Sequence, residues 1–241
     1  MIIRFNQLLL ENMLTDLQLV LDIGQKEKML MYVEFIIDGL KRQRLTGEKT
    51  ADKIINRQLY DSLYPLKLIT LHNGSKNLDL GSGAGLPGIP IKICKPELMM
   101  SLLDANQRKI KFMGSTVVAL GLDSIDFLHG RAEEWAHNDE HREKYDCVFV
   151  KAVATTAVLA ELALPFLKVG GQALLYKGPR GGREAELAEK AIDLCGGNLE
   201  KVWFYNLPTG EKRALYLLRK VKSSPSQYPR STGKPARKPL S

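Results

Sequence analysis

From Asn77 onward the chain alternates short apolar runs with longer helical patterns, and this texture restricts the fold more than any other feature. Such alternation is the signature of a mostly parallel sheet covered by helices. Apolar runs at 77–80, 99–103, 124–128, 147–150, 172–176, 201–205 and 214–218 are the candidate strands. After the second of them Ile110, Met113, Val117 and Leu120 line one helical face, and Gly121 stops it. Only "NLPTGEKR" separates the last two runs, too little for a parallel crossover, so they should pair as an antiparallel hairpin. Before Asn77 the period is helical: Phe5, Leu9, Met13, Leu17 and Val20 share a face, and "KMLMYVEFIIDGL" follows a break at Asp22 and Gly24. A third helix over 51–63 ends at Pro65. The expected organisation is a helical cap over 1–75, an α/β Rossmann-like core over 76–220 and a tail over 221–241.

The tail is read from its charge. Seven of the basic residues fall between Arg219 and Lys238 with no acid after Glu211, which accounts for nearly all of the net charge of +8. A basic, Pro- and Ser-rich segment buries too little apolar surface to fold alone, so a flexible tail is expected, either merely solvated or available to a polyanion such as RNA. Cys94, Cys147 and Cys195 are isolated thiols with no CxxC pair, which argues against a zinc site or a disulfide framework and suits a reducing cytoplasm. Arg4, Asn6, Glu11 and Asp16 interrupt the N-terminal run, and no other stretch offers a membrane span.

The first candidate strand runs into "DLGSGAGLPGIP", residues 79–90. A glycine turn after a strand can cradle a dinucleotide, a phosphate or another adenosine cofactor, or can serve as a bare connection. Gly83, Gly85 and Gly88 satisfy GxGxxG, and Asp104 ends the next strand about 20 residues on, as an NAD-type oxidoreductase requires. Two features oppose that reading. Asp79 places a carboxylate where a pyrophosphate would approach, and Pro87 and Pro90 remove amide donors. S-adenosylmethionine carries a sulfonium and an ammonium and no phosphate, so for it the carboxylate is an asset. Asp104 then has two acceptor oxygens for a ribose diol, or it caps the helix over 106–120.

Further on, "GRAEEW" follows the third strand. The Ala132 backbone and the Glu133 side chain suit the adenine edge, although two acids opening a helix also suit its dipole without a ligand. His137 and His141 in "HNDEH" lack the Glu of HExxH, and the charged residues around them read as a solvated loop.

These motifs together resemble the bacterial RsmG (GidB) family, methyltransferases acting on ring nitrogen seven of a guanosine in 16S small-subunit ribosomal RNA. The resemblance rests on "DLGSGAGLPGIPI", "LLD" before Arg108 and Lys109, "RAEEW", "KAVA", "LPFLKVGG", "YKGPR", "GEKRALYLLRK" and the tail "YPRSTGKPARKPL". It implies a helical cap on a seven-stranded S-adenosylmethionine-dependent methyltransferase sheet. It implies cofactor contacts at Gly81, Leu86, Ala132, Glu133 and Lys151, with Asp79, Gly83, Gly85 and Asp104 in the usual places for the fold. Lys151 stands where the family usually has arginine. In the cap, "QRLT" at 43–46 replaces a Tyr-Asn-Leu-Thr run, Lys49 replaces an arginine and Gln58 a histidine, while Arg57, Asp61 and Ser62 match. These departures, Arg44 among them, bear on substrate geometry.

No NPPY-like stretch follows the fourth strand, which reads "VFVKAVAT". Ring nitrogen seven is an sp² lone pair with no proton to lose, so its methylation needs alignment and no general base. No catalytic nucleophile is therefore expected, and Lys151, Arg57 and Asp61 are the positioning candidates. Lys177, Arg180, Arg230, Lys234, Arg237 and Lys238 are the candidate RNA contacts, with solvated surface cations as the alternative. The expected partner is small-subunit ribosomal RNA or its particle, bound by a monomer without metal or membrane. An RNA-binding protein that has lost turnover is the remaining alternative.

Overall fold

The computed structural model describes residues 2–151, 154–178 and 181–240, without the side chains of 2–5 and 181–183. Seven strands form one sheet: β1 (Lys76–Leu80), β2 (Met99–Asp104), β3 (Ile125–His129), β4 (Tyr145–Val150), β5 (Leu167–Lys177), β6 (Gly197–Asn206) and β7 (Lys212–Lys220). Their spatial order is β3-β2-β1-β4-β5-β7-β6. The first five run parallel, and β7 runs antiparallel between β5 and β6. The short link between β6 and β7 does make a hairpin, as its length demands.

The helices are α1 (Ile2–Leu17), α2 (Ile23–Leu40), α3 (Ala51–Lys53), α4 (Tyr60–Leu63), α5 (Gly88–Cys94), α6 (Gln107–Ala119), α7 (Ala132–Trp135), α8 (Thr156–Ala163), α9 (Gly181–Leu187), α10 (Glu189–Leu194) and α11 (Lys234–Arg237). The break before α2 is a capping box: Asp22 Oδ1 accepts the Gln25 amide at 2.8 Å while Gln25 Oε1 accepts the Asp22 amide at 3.0 Å. Val20 falls beyond α1 and is exposed, so it does not share the buried face of Met13 and Leu17. The third expected helix is continuous over 51–63, but its middle, Ile54–Leu59, is a π turn. Such a turn inserts a residue into the helix and often marks a functional site.

Strand alternation divides the core. Leu78, Val148, Leu175 and Leu218 face α8 and α10, whereas Leu102, Phe149, Leu174 and Leu217 face α5, α6 and the cap. Met29, Tyr32, Ile36, Leu59 and Leu63 belong to the same cluster as that second set, so cap and sheet share one core. Tyr32 also donates its hydroxyl to the Ala84 carbonyl at 2.9 Å, which ties α2 to the glycine turn.

The tail is docked, contrary to the expectation of a flexible segment. Tyr228 is buried among the residues around α8. Arg142 donates to the Ser224, Pro225 and Tyr228 carbonyls at 2.8, 3.1 and 2.9 Å. Arg230 grips Glu161, which is wholly buried on α8, through paired bonds of 2.8 and 2.7 Å, and the Arg230 amide adds a third at 2.9 Å. Most of these anchors are main-chain groups, which residue composition does not reveal. Among the described residues no helix is long and apolar enough to cross a membrane, and no cluster of His, Cys, Asp and Glu could hold a metal ion.

Candidate active site

The carboxyl ends of the parallel strands gather most of the candidate residues on one edge of the sheet. After β1 the chain turns sharply because the Gly81 and Ser82 amides both donate to the Leu103 carbonyl, at 2.8 and 2.9 Å. Gly81 takes a left-handed φ of +77°, and a Cβ built there meets nothing within 4 Å, so its open side is free for close approach. Gly88 serves packing instead. A Cβ there would come within 2.4 Å of Leu102 and 2.9 Å of Asp79. Gly85 is likewise closed by Ile89, and the Leu86 side chain lies in the core shared with the cap. The two ends of the turn thus do different work.

Asp79 lies beneath the turn with no exposed surface. Its Oδ2 accepts the Gly88 amide at 2.9 Å, and its Oδ1 has no partner. Burial outweighs that amide and nearby Lys151 and raises the carboxyl to about 7. Asp104 meets the turn from the end of β2: Oδ2 accepts the Gly83 amide at 2.9 Å and Oδ1 the Asn106 amide at 2.8 Å. It is not the helix cap. Asn106 caps α6, its Oδ1 accepting the Arg108 amide at 2.9 Å. Each Asp104 oxygen therefore keeps acceptor capacity while the two bonds fix the carboxylate. The Gly130 amide donates to the Asp104 carbonyl at 3.2 Å, which places Ala132 and Glu133 beside the same edge. Glu133 Oε1 accepts the Gly233 amide of the docked tail at 2.8 Å.

Lys151 extends β4 on the cap-facing side. Its Nζ donates to Gln58 Oε1 at 2.8 Å, to the Gln58 carbonyl at 3.2 Å and to Ser62 Oγ at 3.3 Å, and lies 3.5 Å from Asp61 Oδ2. Burial lowers the ammonium's pKa and Asp61 opposes that shift. Asp61 in turn accepts the Tyr205 hydroxyl at 2.6 Å and stands 3.8 Å from Arg213 Nε. Burial and Asp61 push the Tyr205 phenol well above its ordinary range. Arg57, on the same π turn as Gln58, bridges Glu48 at 2.6 Å and Glu211 at 3.0 Å and so clamps the cap to the β6–β7 hairpin. Of the three positioning candidates, Lys151 and Asp61 form one cluster and Arg57 borders it. Gln58, Tyr205 and Arg213 were not foreseen as members, although the exchange of histidine for Gln58 and the "GEKRA" motif were signals.

The expected RNA contacts separate. Lys177 lies on the opposite face of the sheet from Lys151, nearly buried, with its Nζ 2.6 Å from both the Ala154 carbonyl and Glu184. Arg230 is spent on Glu161 and the Lys238 carbonyl. Both are thus held by carboxylates of the protein itself, Lys177 by Glu184 and Arg230 by Glu161. Lys234, Arg237 and Lys238 are exposed, and Arg180 lies outside the described residues. In "HNDEH" residues 137–140 are exposed, as a solvated loop requires, with His137 Nε2 pairing with the Pro229 carbonyl at 2.8 Å, whereas His141 is buried with its Nδ1 2.6 Å from the Tyr145 hydroxyl.

Comparison with known proteins places this geometry. The family model described as rRNA small subunit methyltransferase G matches residues 25–215. Among curated relatives of that name, the protein of Lachnoclostridium phytofermentans is 40% identical over 228 residues, covering 94% of each chain. That of Pelotomaculum thermopropionicum is 38% identical over 226 residues, covering 93% of this chain and 95% of the relative. Among solved structures, TrmN from Thermus thermophilus aligns at a TM-score of 0.52 with 19% identity, covering 69% of this chain and 53% of its own. M. jannaschii TYW2 in complex with AdoMet aligns at 0.51 with 13% identity, covering 62% and 71%. Those two likenesses establish the fold, and the sequence matches go further: the chain belongs to the rRNA small subunit methyltransferase G family.

Proposed function

We propose that this chain transfers a methyl group from S-adenosylmethionine to ring nitrogen seven of a guanosine in 16S small-subunit ribosomal RNA. The observation that carries the cofactor reading is Asp79. A wholly buried carboxylate with an unpartnered oxygen, beneath a glycine turn open at Gly81, suits a cationic adenosine cofactor and repels a pyrophosphate. The residues present therefore fit the cofactor, and the alternative of an NAD enzyme finds no support.

When bound, S-adenosylmethionine supplies an electrophilic methyl group on a sulfonium. Asp104 would take the ribose hydroxyls, Ala132 and Glu133 the adenine edge, and Asp79 with Gly81 the charged end. Lys151, held by Gln58, Ser62 and Asp61, offers a fixed positive charge at the end of β4. No member of the cluster needs to remove a proton, because the acceptor nitrogen has none; the chain's contribution is alignment.

The test is incubation of labelled S-adenosylmethionine with small-subunit ribosomal RNA from cells lacking the modification, followed by nucleoside mass spectrometry. The expected product is N7-methylguanosine, lost in Asp79→Ala and Gly83→Asp. Binding of NAD in place of S-adenosylhomocysteine, or labelling of another nucleoside, would overturn the reading.

A further inference from the structure

The docked tail reaches the candidate cofactor edge at one place. Residues 231–234 cross over α7, where the Gly233 amide donates to Glu133 Oε1 at 2.8 Å and Thr232 Oγ1 to Glu134 Oε1 at 3.4 Å. Gly233 has φ +78°, a left-handed conformation that turns its amide toward Glu133 and opens α11. The strap is anchored behind this point by Arg230 on Glu161 and by the Pro229 carbonyl on His137. Glu133 Oε2 accepts nothing from the described residues.

We propose that the strap is a positioning element for the cofactor: by fixing Oε1 of Glu133, the Gly233 amide leaves Oε2 set to accept from the exocyclic amine of the adenine. This rests on the reading of the site as one for S-adenosylmethionine, and it assigns the tail a role separate from any contact its lysines make with RNA. A glutamate side chain has three rotatable bonds, and an unheld carboxylate would spread over several rotamers. One backbone amide at the right distance removes that spread. Coupling of this kind is reciprocal, so a ligand that uses Oε2 must also steady the strap.

Two ligands isolate the amine: S-adenosylhomocysteine and its deaminated inosine analogue, which presents a carbonyl in its place. Calorimetry on the intact chain should show about a tenfold preference for the adenosine compound, roughly 1.4 kcal/mol. A chain ending at Arg230 keeps Tyr228 and the Arg230–Glu161 pair but loses Gly233, and its preference should collapse toward unity. Lys234→Gln combined with Lys238→Gln spares Arg237, whose Nε donates to the Gly233 carbonyl at 3.3 Å, and should keep the preference while weakening RNA binding. Hydrogen exchange on the full chain gives a second readout that needs no truncation: saturating S-adenosylhomocysteine should slow the Gly233 amide at least fivefold. An unchanged preference in a folded truncated chain, or unchanged exchange at Gly233 with ligand bound, overturns the proposal. If the intact chain binds neither compound, the cofactor reading itself has failed, a distinguishable result.

Discussion

Asp79 carries an energetic tension that its environment explains. The carboxyl is raised to about 7 by burial, against about 3.9 in an unfolded chain, so between those values the folded protein binds the extra proton. Stability contributed at this site is therefore lost as pH rises from about 4 to 7. Asp79→Asn removes the titration, and the variant should gain on the parent across that window by an amount of order a few kcal/mol, while losing affinity for S-adenosylhomocysteine. Urea unfolding at pH 5 and pH 8 checks it, and a stability gap that does not change with pH would refute it. A second pair is informative for a different reason. Lys151 and Gln58 are both positions where the resemblance leads one to expect another residue, and the structure joins them by a 2.8 Å bond. Sequence alone shows two departures; only the fold shows that they are one contact. Gln58→Ala and Lys151→Met should be non-additive in unfolding free energy by about 1 kcal/mol or more, as groups sharing a buried network are. Additive losses would mean that the two side chains are not energetically coupled.

At the scale of elements, the strands were legible because each apolar run obeys a period set by the pleat, and the hairpin because its link is short. The π turn was not. A helix over 51–63 accounts for the same apolar residues, and the inserted residue shows only in how Arg57 and Gln58 are aimed, one at the hairpin and one at Lys151. The tail was misread for a related reason. Its composition describes a segment unable to fold alone, and that remains a fair statement about the segment in isolation. What docks it is Arg142 on carbonyls, Arg230 on Glu161 and one tyrosine, a set that hydrophobicity cannot register. Arg230→Ala would strand the Glu161 carboxylate inside the core and should cost about 3–5 kcal/mol, read as a fall in unfolding midpoint. Arg230→Lys, which keeps the charge without the fork, should cost less. A variant of Arg230 that lost RNA affinity at full stability would support the RNA contact expected of it.

Over the whole molecule, charge and core are arranged separately. The exposed cations of α11 and the residue after it stand on the strap, which docks against α7 and α8, apart from the core shared by cap and sheet. If those three cations meet phosphates, neutralising all of them should flatten the logarithmic salt dependence of RNA binding by roughly 2 to 3, about 0.7–0.9 for each phosphate left without its cation. A slope that stays put would place the phosphate path elsewhere. The order of the sheet has a consequence for how the chain is made. The last strand to leave the ribosome, β7, occupies an interior position between β5 and β6. Until it emerges, β5 presents an open edge and β6 has no neighbour to join, so the nascent chain carries an unfinished template for strand pairing. The hairpin and the strap then arrive together, and the same closing segment that completes the sheet carries Gly233 to Glu133.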